Sequence, residues 1–419
     1  MNKLFILILA ILFTGSLHAQ DMDYTKKLVN DLSSPAFCGR GYVKSGDSIA
    51  AVYLSKEMKK LKLKSFSKNY YQDYHFSVNT FPTNPILKLD GIELKAAKDF
   101  IVFKSCPKVE GEADIRWINK DLLTNSRALR KFLKEDHSNE FLAIDSTGLK
   151  NPELYRFAQI MMKENVFKAK GVIVLEDKLK FSAGTKIAEH PTFVIKPEFI
   201  STSSKKISYR VDSKLIPNYK TQNLIGYIKG KTDTCIVMSA HYDHLGFLGD
   251  NMYPGANDNA SGVAMVMNLA KQLKAQKKKP HYTLVFAFFS GEEAGLLGST
   301  HYSEHPFIPL AKTKMVINFD MLGTGSKGIF MINGKEVPDL INQLNEINKK
   351  EKYVFKMFPT GASSSSDHAP FHKKGVKALF VYTHGDNADY HEITDTAEKL
   401  PYTQFEGIFK IMRDFVMQQ

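Results

Sequence analysis

The stretch that decides the fold is YTLVFAFFSGEEAG, residues 282–295. Tyr282 to Phe289 is almost wholly apolar and of strand length, the texture of a strand covered on both faces in a parallel sheet. Ser290-Gly291 then turns the chain, and two adjacent acids, Glu292 and Glu293, follow directly. The carboxyl ends of such strands are where open α/β sheets build their sites. Two acids at a helix start can simply complement its dipole. Their adjacency also suits a division of labour, in which Glu293 binds a metal ion and Glu292 accepts a proton from the water beside it.

The same strand-then-ligand pattern recurs on either side. Thr234 to Ala240 is a second apolar strand, and His241-Tyr242-Asp243 follows it directly. A lone His there would be structural more often than not; in this company it reads as a ligand, with Asp243 fixing its ring tautomer. Gly255 to Gly262 is a turn of small residues around Asp258 that leads into an amphipathic helix, Gly262 to Lys274. Asp258 there can cap the helix, but its small neighbours also let it approach two ions. Asp320 closes the strand Lys314 to Phe319 with no basic residue beside it, which is costly for a buried acid unless it is paired or metal-bound. Tyr390-His391 lies beyond the strand Ala378 to Tyr382. His391 would be a further ligand and Tyr390 a donor to a developing oxyanion. His368 and His384, in nearby loops, read as surface or supporting residues.

His241, Asp258, Glu293, Asp320 and His391 together form a donor set suited to two borderline-soft divalent ions, and zinc is the ion expected. Strands at Asn223 to Ile228 and Ile329 to Ile332, with helices at Pro338 to Lys349 and Gln404 to Met417, complete an alternating pattern. The fold class expected is α/β, a largely parallel mixed sheet between helices. A helical pattern at Asp47 to Leu61 precedes it. Between them, from about Tyr70 to Ser208, short β-type runs broken by turns predict a β-rich inserted domain, bounded here as 82–210. Its clearest signals are the hairpin Ile86–Leu89 and Ile92–Leu94 across Asp90-Gly91, and the strands Gly171 to Leu175 and Thr192 to Ile195. The catalytic fold would then comprise 21–81 and 211–419.

Residues 1–20 read as an export signal, with Lys3 before an apolar run from Leu4 to Phe13 that is too short to span a bilayer. No later run approaches membrane length. The chain carries a net charge of +13 with lysines spread along its length, and no aromatic residues interleave with them as in a nucleic-acid surface. Its three cysteines, Cys38, Cys106 and Cys235, make no disulfide framework, although a Cys38–Cys106 bridge stays open.

The strings SAHYDHLG (239–246), GANDNASGVA (255–264), FFSGEEAGLLGS (288–299), VINFDMLG (316–323), SSDHAPF (365–371) and DYHEITDTAEKL (389–400) resemble, in order, the motifs of the co-catalytic di-zinc aminopeptidases. That family includes secreted bacterial leucyl-type aminopeptidases, glutamate carboxypeptidases and glutaminyl cyclases. Residues 82–210 more loosely resemble the protease-associated domain inserted in many members. The resemblance implies that His241 and Asp320 hold one zinc, Glu293 and His391 the other, and Asp258 bridges them. It also implies that Glu292 is the general base, that Asp243 orients His241 and that Tyr390 stabilises substrate. The expected function is an exported aminopeptidase acting on peptides with a free N-terminus. A carboxypeptidase, a glutaminyl cyclase and a non-catalytic binding protein are the alternatives. Beyond Arg210 the only arginine is Arg413, which disfavours an arginine clamp for a substrate carboxylate.

Overall fold

The computed structural model describes residues 21–147, 151–386 and 389–419. The expected export signal lies outside them. Four parallel strands form the centre of the larger sheet, in the order Thr283–Phe289, Cys235–His241, Thr313–Phe319, Ala378–His384. Alternation along these strands feeds two cores at once. Ile236, Met238, Leu284 and Phe286 pack against the helices Gly46–Lys60, Gly262–Ala275 and Phe405–Gln418. Cys235, Val237, Val285 and Ala287 face the other side, with Tyr302 and Phe371. Burial on both faces is why these runs lack the polar alternation of a half-exposed strand.

Antiparallel strands flank the centre. Gly328–Ile332 pairs with Ala378–His384 on one side, followed by Met357–Pro359. On the other side Lys214–Ile228 pairs with Thr283–Phe289 and continues along Tyr71–Thr80. This last strand is longer than the Asn223 to Ile228 read from the sequence. Pro217 does not end it, because it falls at a register shift between Ile216 and Tyr219, where the ladder can do without its missing N–H.

The two long strands lead into and out of a second sheet of eight strands. The hairpin turn at Asp90-Gly91 has positive φ at both residues, 49° and 86°, as a tight two-residue turn requires. The second sheet is less purely β than expected. Its middle strands, Val109–Ile118, Glu140–Asp145, Gly171–Leu175 and Thr192–Ile195, are parallel. Helices Lys120–Thr124, Ser126–Phe132 and Pro152–Glu164 lie among them, capped by the side chains of Asn119, Asn125 and Asn151. Asparagine favours exactly such helix starts, whatever the short apolar runs suggest.

The two sheets meet beside the carboxyl ends of the central strands. Leu245, Leu248 and Tyr253, from the segment after His241, belong to the core of the second sheet. Phe181 stacks on Tyr253 at 5.0 Å, and its backbone N–H donates to the carbonyl of His391. Cys38, Cys106 and Cys235 are all free thiols, so the bridge left open by the sequence does not form.

Candidate metal centre

His241 ends its strand, Asp320 follows Phe319, and Glu292 and Glu293 follow the turn after Phe289, so neighbouring parallel strands deliver them to one point. Asp258 comes from the irregular turn Ala256–Ser261 at the head of the helix Gly262–Ala275. Its two oxygens divide between two imidazoles. Oδ1 lies 3.3 Å from His241 Nε2 and Oδ2 lies 3.3 Å from His391 Nε2. His241 Nε2 also faces Asp320 Oδ1 at 3.4 Å, and His391 Nε2 faces Glu293 Oε2 at 3.0 Å. Glu292 joins the other flank, where single donor atoms of His241, Glu292 and Asp320 fall within 4.8 Å of one another.

The small polar residues around Asp258 stitch its turn to the loop carrying Asp320. Asn257 Oδ1 accepts from Gly323 N–H at 2.8 Å, Ser261 Oγ accepts from Leu322 N–H at 2.8 Å, and Asn259 Oδ1 accepts from Met321 N–H at 3.2 Å. Asp395 accepts from the backbone N–H groups of Asn257 and Asp258 at 2.9 and 3.0 Å. Asp320 Oδ2 accepts from Ser366, which in turn accepts from Asn318. Asp258 is thus aimed through its backbone and Asp320 through one oxygen, so these supports leave the oxygens facing the imidazoles uncommitted.

Asp243 works differently from expectation. His241 Nδ1 makes its hydrogen bond to the backbone carbonyl of Asp243 at 3.2 Å, while the nearest carboxylate oxygen is 3.7 Å away. The carboxylate accepts instead from Tyr42 Oη at 2.7 Å and from the N–H groups of Glu292 and Glu293 at 3.2 and 3.4 Å. It thus holds the backbone of the glutamate pair. Tyr390 stacks on His391 with centroids 3.9 Å apart and stays partly exposed. His368 donates from Nε2 to the Ser363 carbonyl at 2.9 Å, and burial pushes its pKa down to about 4. His384 is exposed at the end of its strand.

Three contributors escape a reading of the sequence. His244, fully buried, meets Glu293 Oε1 through Nδ1 at 2.7 Å. Asp395 has just been described. Arg40, in the glycine-containing loop before the helix Gly46–Lys60, is 0 % exposed and uses every N–H of its guanidinium. It donates to the carbonyls of Tyr242, Leu32, Pro254, Gly255 and Asp258 at 2.7–3.1 Å. A lone arginine among glycines was the available signal, but four of its five acceptors lie some 200 positions away.

The donor set fits bound cations. His241 Nε2 and Asp320 Oδ1 are buried without a hydrogen bond although they face each other. Asp258, Glu292, Glu293 and Asp320 gather around two imidazoles while the buried guanidinium of Arg40 is committed to carbonyls, and four carboxylates so placed call for positive charge. Burial pushes the Glu292 carboxyl up, His241 opposes, and Asp367, Glu293 and Asp320 add to the rise, leaving it well above the usual range. Glu293 is held at about 2: burial works against its charge, but His391 and His244 outweigh that cost.

Sheet and cluster together define an α/β domain with a buried histidine–carboxylate centre at the carboxyl ends of its parallel strands. Residues 223–416 match the model of peptidase family M28. The aminopeptidase YwaD of Bacillus subtilis is 29 % identical over 249 residues, which cover 55 % of this chain and 53 % of that protein. The chain thus spans about half the length of that relative. Among solved structures, the zinc aminopeptidase BSAP from Bacillus subtilis superposes with a TM-score of 0.73 at 22 % identity, covering 96 % of each chain. An aminopeptidase from Aneurinibacillus sp. strain AM-1 does so with a TM-score of 0.68 at 21 % identity, covering 96 % of this chain and 94 % of its own. At these identities the superpositions speak for the fold. Among the described residues no helix is long and apolar enough to cross a membrane.

Proposed function

We propose that the protein is an exported zinc aminopeptidase that removes residues from the free N-terminus of peptides. The observation that carries this reading is the split carboxylate of Asp258, one oxygen toward His241 and one toward His391. His241, Asp320 and Asp258 would hold one zinc ion, and Glu293, His391 and Asp258 a second. When bound, the pair supplies Lewis-acid polarisation of the scissile carbonyl and a water acidic enough to attack at neutral pH.

The chain's own residues do the rest. Glu292, whose carboxylate makes no hydrogen bond among the described residues and whose pKa is raised, takes the proton of the attacking water and delivers it to the leaving amine. Asp243 keeps that glutamate in place through its backbone N–H. Tyr390 Oη donates to the carbonyl oxygen as negative charge develops there; burial and the nearby carboxylates push its phenol far up, so it stays protonated. A cavity of about 210 Å³ beside Glu292 and Asp320 is walled by Met321, Ile332, Phe380 and Tyr382. Its apolar wall suits an aliphatic or aromatic N-terminal side chain.

Mass spectrometry of a defined pool of unblocked peptides, with zinc-loaded and chelated protein, tests the reading. Stepwise N-terminal shortening abolished by the chelator is expected. Glu292→Gln should retain its metal and lose most turnover, on the order of 10²–10⁴-fold. A fully metallated mutant that works at near wild-type rate would sink the role of Glu292.

A further inference from the structure

A second cavity, of about 610 Å³, opens on the other flank of the cluster. Its walls are Phe103 to Ser105, Lys163-Glu164 and Ala183 to His190 from the inserted domain, closed by Ala294, the residue after Glu293. Sheet order fixes the geometry. The apolar cavity draws on Phe380 and Ile332, on the two successive strands Ala378–His384 and Gly328–Ile332 at one side of Thr313–Phe319, whereas Ala294 follows the strand Thr283–Phe289 on the opposite side. A peptide whose N-terminal side chain fills the first cavity therefore carries its leaving portion toward the second.

The chemistry of this cleft is lopsided. Lys104, Lys163 and Lys186 line it and make no ion pair among the described residues. Glu164 and Glu189 also lie in the wall. Burial and then repulsion from Lys163 and Lys186 lower the pKa of Lys104, and Glu293 is the acid that acts on it, not these two. Three ammonium groups within electrostatic reach of one another, unpaired and next to the reaction centre, are relieved by an incoming anion.

We propose that this cleft is a subsite for a carboxylate on the leaving portion of the substrate, held by Lys104, Lys163 and Lys186 of the inserted domain. The inference rests on the aminopeptidase reading. It makes the enzyme selective for short peptides, because only there does the C-terminal carboxylate fall within reach of the cleft; each extended residue adds about 3.3–3.6 Å. An acidic side chain in the leaving portion offers the same chemistry.

The zinc-loaded full chain is assayed on Leu-Ala-Ala, its C-terminal amide, Leu-Ala-Glu amide and a leucine arylamide with no leaving-side carboxylate. The free acid should exceed the amide in kcat/KM by on the order of tenfold, mostly through KM, with the gap closing in high salt. Lys104→Met and Lys186→Met should each narrow that gap and leave the arylamide rate unchanged. If Leu-Ala-Glu amide matches the free acid, the subsite takes side-chain carboxylates too; if it matches the plain amide, the C-terminus is the ligand. Equal rates on free acid and amide, with the arylamide still cleaved, overturn the subsite and spare the aminopeptidase. No cleavage of the arylamide, with an N-acetylated tripeptide shortened from its C-terminus, overturns the aminopeptidase reading and this proposal with it.

Discussion

Replacing Arg40 by lysine keeps the charge and removes the fork. The guanidinium has five N–H donors and satisfies five buried carbonyls, whereas an ammonium has three donors and a shorter reach. At least two carbonyls are then left without a partner. An orphaned buried acceptor costs about 1–3 kcal/mol, so Arg40→Lys should cost about 2–6 kcal/mol before any water enters to help. Against a usual stability of about 5–15 kcal/mol that loss is large but survivable. The carbonyls at risk belong to Tyr242, next to His241, and to Gly255 and Asp258 in the turn that aims the split carboxylate. The damage should therefore reach the metal centre, with zinc affinity falling about 10–100-fold, as for other lost outer partners of a ligand. Thermal unfolding of the chelated protein reads the first effect and should show a Tm lower by at least about 2 °C. Competition with a chromophoric chelator reads the second. If Arg40→Lys unfolds with the wild type and holds zinc equally well, the guanidinium is not what fixes these loops.

The metal-free site should release protons when it binds zinc. Burial opposes charge on His241 and His391, yet Asp320 acting on the first and Glu293 on the second hold both imidazoles well above their ordinary pKa. Both must lose a proton to become ligands, so affinity should weaken as pH falls, and calorimetry in two buffers of different ionisation enthalpy should reveal the release; identical heats would contradict it. Asp47 offers a test remote from the metal. It accepts from Tyr219 Oη at 2.6 Å and Thr221 Oγ1 at 3.0 Å, but burial outweighs these donors and lifts its pKa to about 6. Its folded pKa exceeds the unfolded one, so stability is highest below pH 4, falls as pH rises through 4 to 6, and at pH 7 is lower by about 3 kcal/mol on this account. Asp47→Asn cannot ionise and should flatten that part of the pH–stability curve in urea unfolding; an unchanged slope would assign it to other groups.

Much of this architecture is written locally. Runs such as Cys235 to Ala240 and Thr283 to Phe289 are apolar at every position because both faces are buried, and a histidine or acid at the end of such a run stands out. What stayed hidden depends on partners distant in sequence. Arg40 is one charged residue in a loop, and nothing near it names Tyr242 or Gly255 as its acceptors. His244 reads as one more polar residue after His241 until the fold sets it against Glu293. Asp243 shows a subtler failure: its carboxylate is close to His241, but the backbone carbonyl of the same residue has taken that hydrogen bond, freeing the side chain for the glutamate pair. Of the helices beside the second sheet, Lys120–Thr124 and Ser126–Phe132 are short and both begin at asparagines, as Pro152–Glu164 does, a signal easily lost among turns.

The hydrogen bonds around Asp258 also bear on what a metal ion has to do here. The turn at 256–261 is tied to the loop at 321–323 by Asn257, Asn259 and Ser261, to Asp395 through two N–H groups, and to the N-terminal segment by Arg40. None of these bonds uses an oxygen of the Asp258 carboxylate. The supports are thus complete without the groups that would bind the ions, and the scaffold does not need the metal to close. Without metal, the protonated imidazoles of His241 and His391 face Asp258, Glu293 and Asp320, and a pair of cations would replace those protons on binding. The free energy of metal binding then goes into the charge balance of the site rather than into folding the loops around it. That is the arrangement expected where the fold supplies geometry and the ions supply chemistry.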